Sequence, residues 1–598
     1  MSNALSKSIS RENESIFNGI MNLIDEESES SAQLLLTKPP IHSKEAGLNP
    51  LVDACAYVFL LIGQLTRTRS HQDIQKLHHA IMEEVKNFQN TLYLSHYSAE
   101  LLAEYVPISS YLLCTMLNDV ILSTPWSSEE KWYEQEILSR ENFLIILERF
   151  IQDPSLYIDI MEFTYICLTL SFKYSCHSSG FDAEQLQKIV HALYKRIRAY
   201  RGNVTRQLSP FPLRYLQPEY KTENWTDKFN QQVTKMFRLT KIKPSHSAAL
   251  LTTCPIFIEF QKAVHFLNTK SARIKNHRIK LNSLPWVLFI GGAHSGKTTL
   301  IEQSKIKFIA NNQSDENSEQ PVMGPKNWHW WVSPESVMID VGSDYLAVKD
   351  IDKSLANKPW SLLLDLIVRE RGQQGLKGVT LVVSYSEIMD TAHHHRLIHD
   401  LSQRINDLHE KFGRDLPFSL VITKCDLIPG FLDYFSDYTQ DELYQAWGAK
   451  LPQPTSERTL FSLVSSRFNM LIKRLNNQLI YHLNQEKDFN FQSKIGILGF
   501  PLQIEQLKEE LGRIIKGLVK RDPHFSLNGF YLTSAMQPPV NEEANPFPQV
   551  ISGDKFLQSL QIMKTPMIAS QSYFIKQLLL YGLVSNQPKT HPIFHKIQ

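Results

Sequence analysis

Apolar residues recur at spacings of three and four through the first third of the chain, which is the pattern of helices that bury one face. Breakers such as Pro107, Pro125 and the segment 177–180 separate these stretches, and no strand-like alternation lies between them. Residues 46–202 are therefore predicted to form an all-helical domain, a helical bundle. Its predicted helical segments are Leu51–Leu65, Leu101–Leu122, Ile137–Ile151, Tyr157–Phe172 and Leu186–Ile197.

Beyond Leu284 the pattern changes to short, continuously apolar runs separated by helical stretches. Such runs are typical of parallel strands buried on both faces, so residues 254–540 are predicted to form an α/β domain. Residues 430–520 are predicted to be a mostly helical insertion, within which IGILGF at 495–500 could add a strand. The other predicted strands are WVLFI (286–290), VMID (337–340), VTLVVS (379–384), FSLVI (418–422) and GFYLTS (529–534).

Three further segments lack a sustained apolar pattern. Residues 1–45 are rich in Ser, Glu and Asn and are predicted to be a flexible leader, although ESIFNGIMNLI could form a short amphipathic helix on a partner. Residues 203–253 are predicted to be a linker that packs partly on its neighbours. Residues 541–598 are predicted to be a C-terminal helical extension, with at least one helix near Ser570–Leu583.

The composition narrows the class of protein. Hydrophobic residues make up 42% of the chain and charged residues 21%, which excludes wholesale disorder. The net charge of +2 removes any global argument for nucleic-acid binding. Six scattered cysteines without a metal-binding spacing favour a reducing compartment. No apolar stretch reaches the roughly 18 residues of a membrane span, and the start does not resemble a secretory signal, so we expect a cytoplasmic chain without a direct membrane span.

The strand WVLFI runs into a glycine-rich loop and then into a helical stretch, which is the context of a phosphate-binding loop (P-loop). Backbone N–H groups of such a loop face the phosphates of a nucleotide. Lys297 is predicted to reach the β- and γ-phosphates, and the hydroxyl of Thr298 is predicted to ligate Mg²⁺. The predicted phosphate-binding residues are Gly291, Gly292, Ala293, His294, Ser295, Gly296, Lys297, Thr298 and Thr299.

A second motif, TKCD at 423–426, follows the strand FSLVI. An aspartate at a strand end can accept hydrogen bonds from the paired N–H donors of guanine, which adenine lacks, and the lysine stem can pack along the purine. The strand that ends near residue 533 would add a backbone loop beside the base. The predicted guanine-binding residues are Thr423, Lys424, Asp426, Ser534 and Ala535, and the predicted cofactors are GTP or GDP with Mg²⁺.

The region around the predicted metal departs from the usual switch pattern. Asp340 is the candidate carboxylate on the metal side, but Ser343 stands where a switch glycine would meet the γ-phosphate. No threonine occurs from residue 300 to 379, so the usual Mg²⁺-binding switch threonine is missing, and Ser333 is a candidate substitute. The sequence therefore predicts retained nucleotide binding with eroded hydrolysis.

Two clusters leave alternatives open. His393, His394, His395 and His399 include a pair at i and i+4 that could bind a metal, or they could occupy an exposed helix face. Tryptophans 328, 330 and 331 could line a partner surface beside the switch region, or they could anchor the loop onto the domain.

A series of ordered motifs resembles the cytoplasmic part of the IcmF family, the inner-membrane component of type VI and related type IVB secretion systems. These motifs are LPW, GGAHSGKTTL, NWHWWV (327–332), VMIDVGSDY, LHEKFGRDLPFSLVITKCDLIPGFLDYF (408–435), QAWG (445–448) and GFYLTSAMQ. The helical domain resembles DotU, the usual partner of that family. Its matching motifs are NPLVDACAYVFLLIGQL (49–65), LNDVILSTPW (117–126), YICLTLSFKY (165–174), LYKRIRAYRG (193–202) and LSP (208–210).

The two resemblances cover about residues 46–585 and imply a DotU-like domain fused to the P-loop GTPase-like domain of the IcmF family. The chain departs from the family pattern at His294, where a glycine is common, and at Pro325, where a threonine is expected. The family's Asp-Thr-Ala-Gly is replaced by residues 340–343, Asp-Val-Gly-Ser. These changes put GTP hydrolysis in doubt. Both families normally carry transmembrane helices, and none is recognised in this sequence.

The resemblance implies a cytosolic scaffold, peripheral to the bacterial inner membrane through its partners. Those partners would be inner-membrane and baseplate subunits of the secretion system, and the DotU-like and IcmF-like parts would pair within the chain. One alternative is an active GTPase or ATPase that drives assembly or secretion. Another is a soluble decoy that competes for the partners of DotU and IcmF. A nucleic-acid partner is not expected.

Overall fold

A computed structural model describes most of the two predicted domains. The described residues are 49–65, 71–93, 97–122, 140–171, 183–210, 255–269, 271–274, 277–309, 328–333, 335–342, 358–452, 457–485, 491–535 and 571–583. The predicted leader, most of the predicted linker and most of the C-terminal extension lie outside them, so the predicted domain limits stay predictions. Within the described residues the chain has a helical N-terminal region and a mixed α/β sheet domain.

The N-terminal region consists of helices packed around one apolar core. The helices are α1 (Pro50–Leu65), α2 (His71–Tyr93), α3 (Ala99–Leu122), α4 (Arg140–Gln152), α5 (Pro154–Ser171) and α6 (Ala183–Arg201). Five of them confirm the predicted segments. Helix α2 was not predicted, because its sequence is mostly polar and its apolar stripe is narrow. Pro107 is not a breaker as predicted, since α3 continues through it.

A buried network of charges ties α6 to the start of α1 and to α5. Arg201 donates from Nε to Glu162 at 2.8 Å and from its terminal nitrogen to Asp159 at 3.1 Å. The side-chain amide of Asn49 donates to Glu162 at 2.9 Å, and its carbonyl accepts from the backbone of Leu51 at the start of α1. Burial raises the pKa of Glu162, and the Arg201 guanidinium opposes this rise. The network therefore depends on Arg201 as its cation.

The α/β domain contains the remaining helices and a seven-stranded sheet. Its helices are α7 (Pro255–Thr269), α8 (Lys297–Glu302), α9 (Lys358–Arg371), α10 (Tyr385–Met389), α11 (His394–Phe412), α12 (Phe431–Tyr434), α13 (Gln440–Leu443), α14 (Glu457–Gln485) and α15 (Phe491–Arg521). A π-helix at Leu578–Gly582 matches the predicted C-terminal helix in position.

The strands fall into one large sheet and two short hairpin-like pairs. They are β1 (Ser271–Ile274), β2 (His277–Lys280), β3 (Trp286–Gly291), β4 (Trp328–Val332), β5 (Val337–Val341), β6 (Leu376–Ser384), β7 (Phe418–Thr423), β8 (Trp447–Lys450), β9 (Leu527–Leu532), β10 (Ser534–Ala535) and β11 (Ser572–Tyr573). The large sheet has the order β4-β5-β3-β6-β7-β9-β8, while β1 pairs with β2 and β10 with β11. The five central strands are parallel, and the edge strands β4 and β8 run antiparallel to their neighbours.

The five main strand predictions are confirmed, but the strand proposed at 495–500 is wrong. These residues lie in α15, which packs against α14, α12, α11 and α1. A helix with neighbours on several sides is apolar around most of its surface, and a short apolar run of that kind cannot be told from a buried strand by periodicity alone. The edge strand β8 was not predicted within the insertion.

The tryptophans of β4 are packing anchors. Trp328, Trp330 and Trp331 are each at most 1% exposed. The ring of Trp330 lies edge-on to Trp286, with centroids 5.2 Å apart, and to Phe260 at 5.6 Å. The alternative in which they line a partner surface is therefore wrong.

Among the described residues, the helical region contacts the α/β domain through helices α1 and α5 and through residues 203–209. Helix α1 packs against α15, α5 packs against α14, and the buried Lys494 of α15 donates to the backbone oxygen of Thr169 in α5 at 3.2 Å. Residues 203–209, which have no regular secondary structure, lie against the α/β domain near β8. No described helix combines the length and the apolar character needed to cross a membrane.

Replacing Arg201 by Met should destabilise the helical region strongly. The substitution leaves the buried carboxylates of Asp159 and Glu162 without their cation, which costs about 3–5 kcal/mol. Urea unfolding followed by far-ultraviolet circular dichroism measures the loss. Arg149→Met is the matched control, because Arg149 also pairs with a helix carboxylate, on Glu104, but is 55% exposed and should cost at most about 1 kcal/mol. Equal unfolding midpoints for the two variants would contradict this prediction.

Candidate functional site

The glycine-rich loop begins where β3 comes closest to β6. A Cβ atom on Gly291 would lie 2.2 Å from the backbone oxygen of Val382 and 2.8 Å from Oγ of Ser295, so only glycine fits there. The loop ends at Gly296, whose φ of +82° precedes the first turn of α8. His294 also adopts a left-handed backbone, with φ of +62°. A bulky residue there carries strain that glycine would avoid.

Lys297 folds back onto the loop that precedes it. Its ammonium donates to the backbone oxygens of Gly291 and Gly292 at 2.7 and 3.2 Å, and to Oγ of Ser295 at 3.4 Å. Burial lowers the pKa of Lys297, while the carboxylates of Asp340 and Glu387 oppose that shift. The cation thus lies inside the loop and must leave these carbonyls to reach a phosphate.

Thr298 and Asp340 meet as the sequence predicted for a metal site. The Thr298 hydroxyl donates to Oδ2 of Asp340 at 2.6 Å. Oδ1 of Asp340 is buried and has no hydrogen-bond partner among the described residues. Burial raises the pKa of Asp340, and the hydrogen bond from Thr298 together with Lys297 opposes the rise. Nδ1 of His329, its cross-strand neighbour, lies 3.9 Å from Oδ2.

These oxygens fit Mg²⁺ better than a softer cation. A hydroxyl and a carboxylate with an unpaired buried oxygen are hard donors, and Mg²⁺ characteristically takes one or two protein oxygens and completes its shell with water and phosphate. No group of three or more His, Cys, Asp or Glu side chains suited to a metal occurs in the described part of the chain. A metal at Asp340 would therefore take most of its ligands from water and phosphate.

The TKCD motif and the end of β9 also come together. Asp426 lies in a 3₁₀ turn, Cys425–Leu427, and its Oδ1 accepts a hydrogen bond from the hydroxyl of Ser534. The backbone N–H of Cys425 donates to the oxygen of Thr533 at 3.1 Å. Burial raises the pKa of Asp426, which the hydrogen bond from Ser534 opposes. The acceptor proposed for guanine is thus already engaged by a neighbouring hydroxyl.

One hydrogen bond joins the two motifs directly. The hydroxyl of Thr423, the last residue of β7, donates to the backbone oxygen of Ser295 in the loop. A Cβ atom placed on Gly296 would lie 3.5 Å from the same hydroxyl oxygen. The loop and the TKCD motif therefore line adjacent parts of one edge of the sheet.

The switch residues are only partly visible. Pro325 and Ser343 lie outside the described residues. Ser333 is described, and it caps the turn between β4 and β5 by accepting from the backbone N–H of Ser336 at 3.0 Å. This turn is at the opposite end of β5 from Asp340. Ser333 therefore cannot substitute for the switch threonine, and that suggestion was wrong.

Glu387 is a site residue that the sequence analysis missed. It lies in α10, directly after β6, where it forms a capping box with Ser384. A Cβ atom on Gly292 would lie 2.6 Å from Oε1 of Glu387, so the carboxylate lies against the loop. The available signal was the pattern Ser-x-x-Glu after the strand VTLVVS, which marks a helix start at the same sheet edge as the loop.

The histidine cluster does not assemble a metal site among the described residues. His395 and His399 are exposed on α11, which confirms the interpretation as a helix face for this pair. His394 is instead buried, and its Nε2 lies 2.6 Å from the backbone oxygen of Ile388.

The fold and the site define a class of protein: a helical domain joined to a mixed α/β domain with a glycine-rich loop at one sheet edge. Residues 50–224 match the family model described as type VI secretion system protein DotU, and residues 354–588 match the IcmF-related N-terminal domain. The chain thus joins a segment that matches a DotU domain to a segment that matches an IcmF-related N-terminal domain. The second match includes the TKCD motif but begins after the loop.

A curated relative supports the same assignment. The type VI secretion system component TssM1 of Pseudomonas aeruginosa is 29% identical over 331 residues, which is 52% of this chain. The match covers 29% of that relative, so the chain spans less than a third of its length.

Replacing Gly291 by Ala should destabilise the α/β domain, because the added methyl group collides with backbone that cannot move without opening the sheet. The overpacking cost is about 3 kcal/mol. Gly372→Ala is the control, since Gly372 has a positive φ but open space around it, and should cost about 1 kcal/mol. Urea unfolding followed by tryptophan fluorescence mainly measures the stability of this domain, because it contains six of the nine tryptophans. A smaller loss for Gly291→Ala than for the control would contradict the steric argument.

Proposed function

We propose that the chain is a scaffold component of a type VI secretion inner-membrane complex whose α/β domain binds GTP or GDP with Mg²⁺ and hydrolyses GTP slowly or not at all. The hydrogen bond from Thr423 to Ser295 carries the nucleotide part of the proposal. It supports the proposal because it joins the glycine-rich loop to the TKCD motif, and a single nucleotide would have to contact both.

The residues of the site have distinct roles in this proposal. The first-turn N–H groups of α8 and those of the loop would receive the phosphates. Lys297 would move from the oxygens of Gly291 and Gly292 to the phosphates, and Asp426 would exchange the Ser534 hydroxyl for the guanine N–H groups. Thr298 and Asp340 would hold Mg²⁺, whose charge would neutralise the phosphates.

The sequence favours binding over turnover. A switch threonine is absent from residues 300–379, and Ser333, the candidate substitute, is committed to the turn between β4 and β5. An active GTPase or ATPase remains the alternative outcome of the nucleotide experiment below. The soluble decoy stays a prediction, because no contact in the described residues distinguishes it.

The scaffold part of the proposal is supported by the pairing of the two domains within one chain. Contacts of α1 with α15 and of residues 203–209 with the α/β domain hold them together. We propose that this paired unit lies at the cytoplasmic face of the inner membrane. There it would contact inner-membrane and baseplate subunits of the secretion system, as the match to TssM1 and DotU suggests.

The full-length protein should bind GTP with Mg²⁺, and Lys297→Ala should weaken binding at least about tenfold, because it removes the one loop cation available to the phosphates. Titration calorimetry measures affinity, and phosphate release measures turnover. Lys262→Ala is the control, since Lys262 is exposed and pairs with Glu259 on α7. No GTP binding by the wild type would contradict the proposal. Multiple turnover that Lys297→Ala abolishes would instead establish the active enzyme.

Glu387→Gln should bind GTP more tightly than the wild type, by about threefold to tenfold, because it removes a negative charge beside the phosphates. The glutamine oxygen can still accept from the backbone and hydroxyl of Ser384, so the capping box survives. Glu410→Gln, on the exposed side of α11, is the control. The gain should shrink at high salt, since screening weakens charge repulsion. An unchanged affinity would show that the carboxylate does not oppose the nucleotide.

A further inference from the structure

Residues Asn203–Ser209, which we call the docking segment, follow the end of α6 without regular secondary structure and lie on the α/β domain. Their starting point is held in place, because Arg201 at the end of α6 is bound by Asp159 and Glu162. The segment therefore projects from the helical domain in a defined direction.

Arg206 is the centre of the contact. Its guanidinium donates to Oδ2 of Asp437 at 2.8 Å and to the backbone oxygen of Asp437 at 3.0 Å. Its Nε forms an ion pair with Glu442 at 2.6 Å. The planar group also lies over the ring of Tyr438, 4.3 Å from the centroid, and beside Tyr481 at 5.3 Å. The site therefore provides two carboxylates and two aromatic faces for one cation, a combination that suits a guanidinium better than an ammonium.

Side chains of α14 and of the segment before β8 form hydrogen bonds with the backbone of the docking segment. Gln478 donates to the oxygen of Thr205 at 2.7 Å, and Arg474 donates to that of Gln207 at 2.9 Å. The N–H of Leu208 donates to Oε1 of Gln445 at 2.9 Å. Recognition of consecutive backbone groups fixes the register of an extended segment.

The end of the docking segment is buried at the edge of the sheet. Leu208 is fully buried, and Ser209 is 4% exposed. The Ser209 hydroxyl donates toward the oxygens of Ala446 and Gly448 at 2.7 and 2.8 Å, and accepts from the N–H of Gly448 at 3.0 Å. The segment thus satisfies polar groups of the edge strand β8 that would otherwise be open to other chains.

The two sides of this contact belong to different family matches. The docking segment lies within the DotU match at 50–224, whereas Asp437–Gly448 and Arg474–His482 lie within the IcmF-related match at 354–588. We propose that the docking segment is the recognition element by which a DotU domain binds an IcmF-related domain, including one on a separate polypeptide, and that Arg206 dominates the affinity. This inference rests on the proposed pairing of the two domains and names its determinant.

The docking proposal can be tested in the full chain by inserting a protease site between residues 211 and 253. The site is cleaved after the protein has been purified. The two wild-type fragments should stay associated in size-exclusion chromatography. Arg206→Ala should raise their dissociation constant at least about tenfold, since a half-buried arginine that pairs with two carboxylates at the centre of an interface is a frequent hot spot. Arg206→Lys should show an intermediate loss. Arg149→Ala should match the wild type, because Arg149 is 55% exposed and pairs with Glu104 within the helical region.

A peptide of residues 202–210 provides a second measurement that does not depend on the folding of a variant. Added in excess to the cleaved wild-type protein, it should accelerate dissociation of the fragments, and the same peptide with alanine at position 206 should not. Equal association of wild-type and Arg206→Ala fragments, or equal effects of the two peptides, would overturn the docking proposal. Separation of the wild-type fragments at micromolar concentration would instead overturn the pairing itself.

Discussion

The parallel register of the central strands is the constraint on which the candidate site depends. Gly291 of β3 pairs with Val382 of β6, and Ser384 of β6 pairs with Thr423 of β7. Parallel strands in such a register end at one edge of the sheet, so the loop, the capping box of α10 and the TKCD motif all lie there. The hydrogen bond from Thr423 to Ser295 is a consequence of this register. A shift of β7 by one residue would turn the Thr423 side chain to the other face and remove it.

The charges at this edge explain why a nucleotide would need its metal. The carboxylates of Asp340 and Glu387 both act electrostatically on Lys297, so two acidic groups share one ammonium. A nucleotide would bring further negative charge to a site whose cation already has protein partners. In the proposed function, Mg²⁺ that arrived with the phosphates would offset this charge, and the unpaired Oδ1 of Asp340 would be a suitable ligand for it.

The local features of the site could be read from the sequence, whereas those that depend on distant contacts could not. The strand, loop and helix at 286–302 are contiguous, so their motif carries its own context. Glu387 becomes relevant only because β6 lies beside β3. The docking segment was assigned to a linker because its partners are more than 200 residues away in the chain. The run at 495–500 was misread as a strand because burial on several sides, not strand pairing, makes it apolar.

The docking contact and the candidate nucleotide site are connected through a short series of residues. Ser534, which donates to Asp426, lies on β10 and pairs with Tyr573 of β11. The next residue, Phe574, donates its N–H to the oxygen of Leu443 at 2.7 Å, two residues before Gln445 of the docking contact. A guanine base that took Asp426 as its acceptor would release the Ser534 hydroxyl at one end of this series. If nucleotide binding changed the affinity of the docking contact by some factor, docking would then change the affinity for the nucleotide by the same factor. Such coupling requires a second arrangement of β10 and β11, because a rigid series of contacts transmits no change.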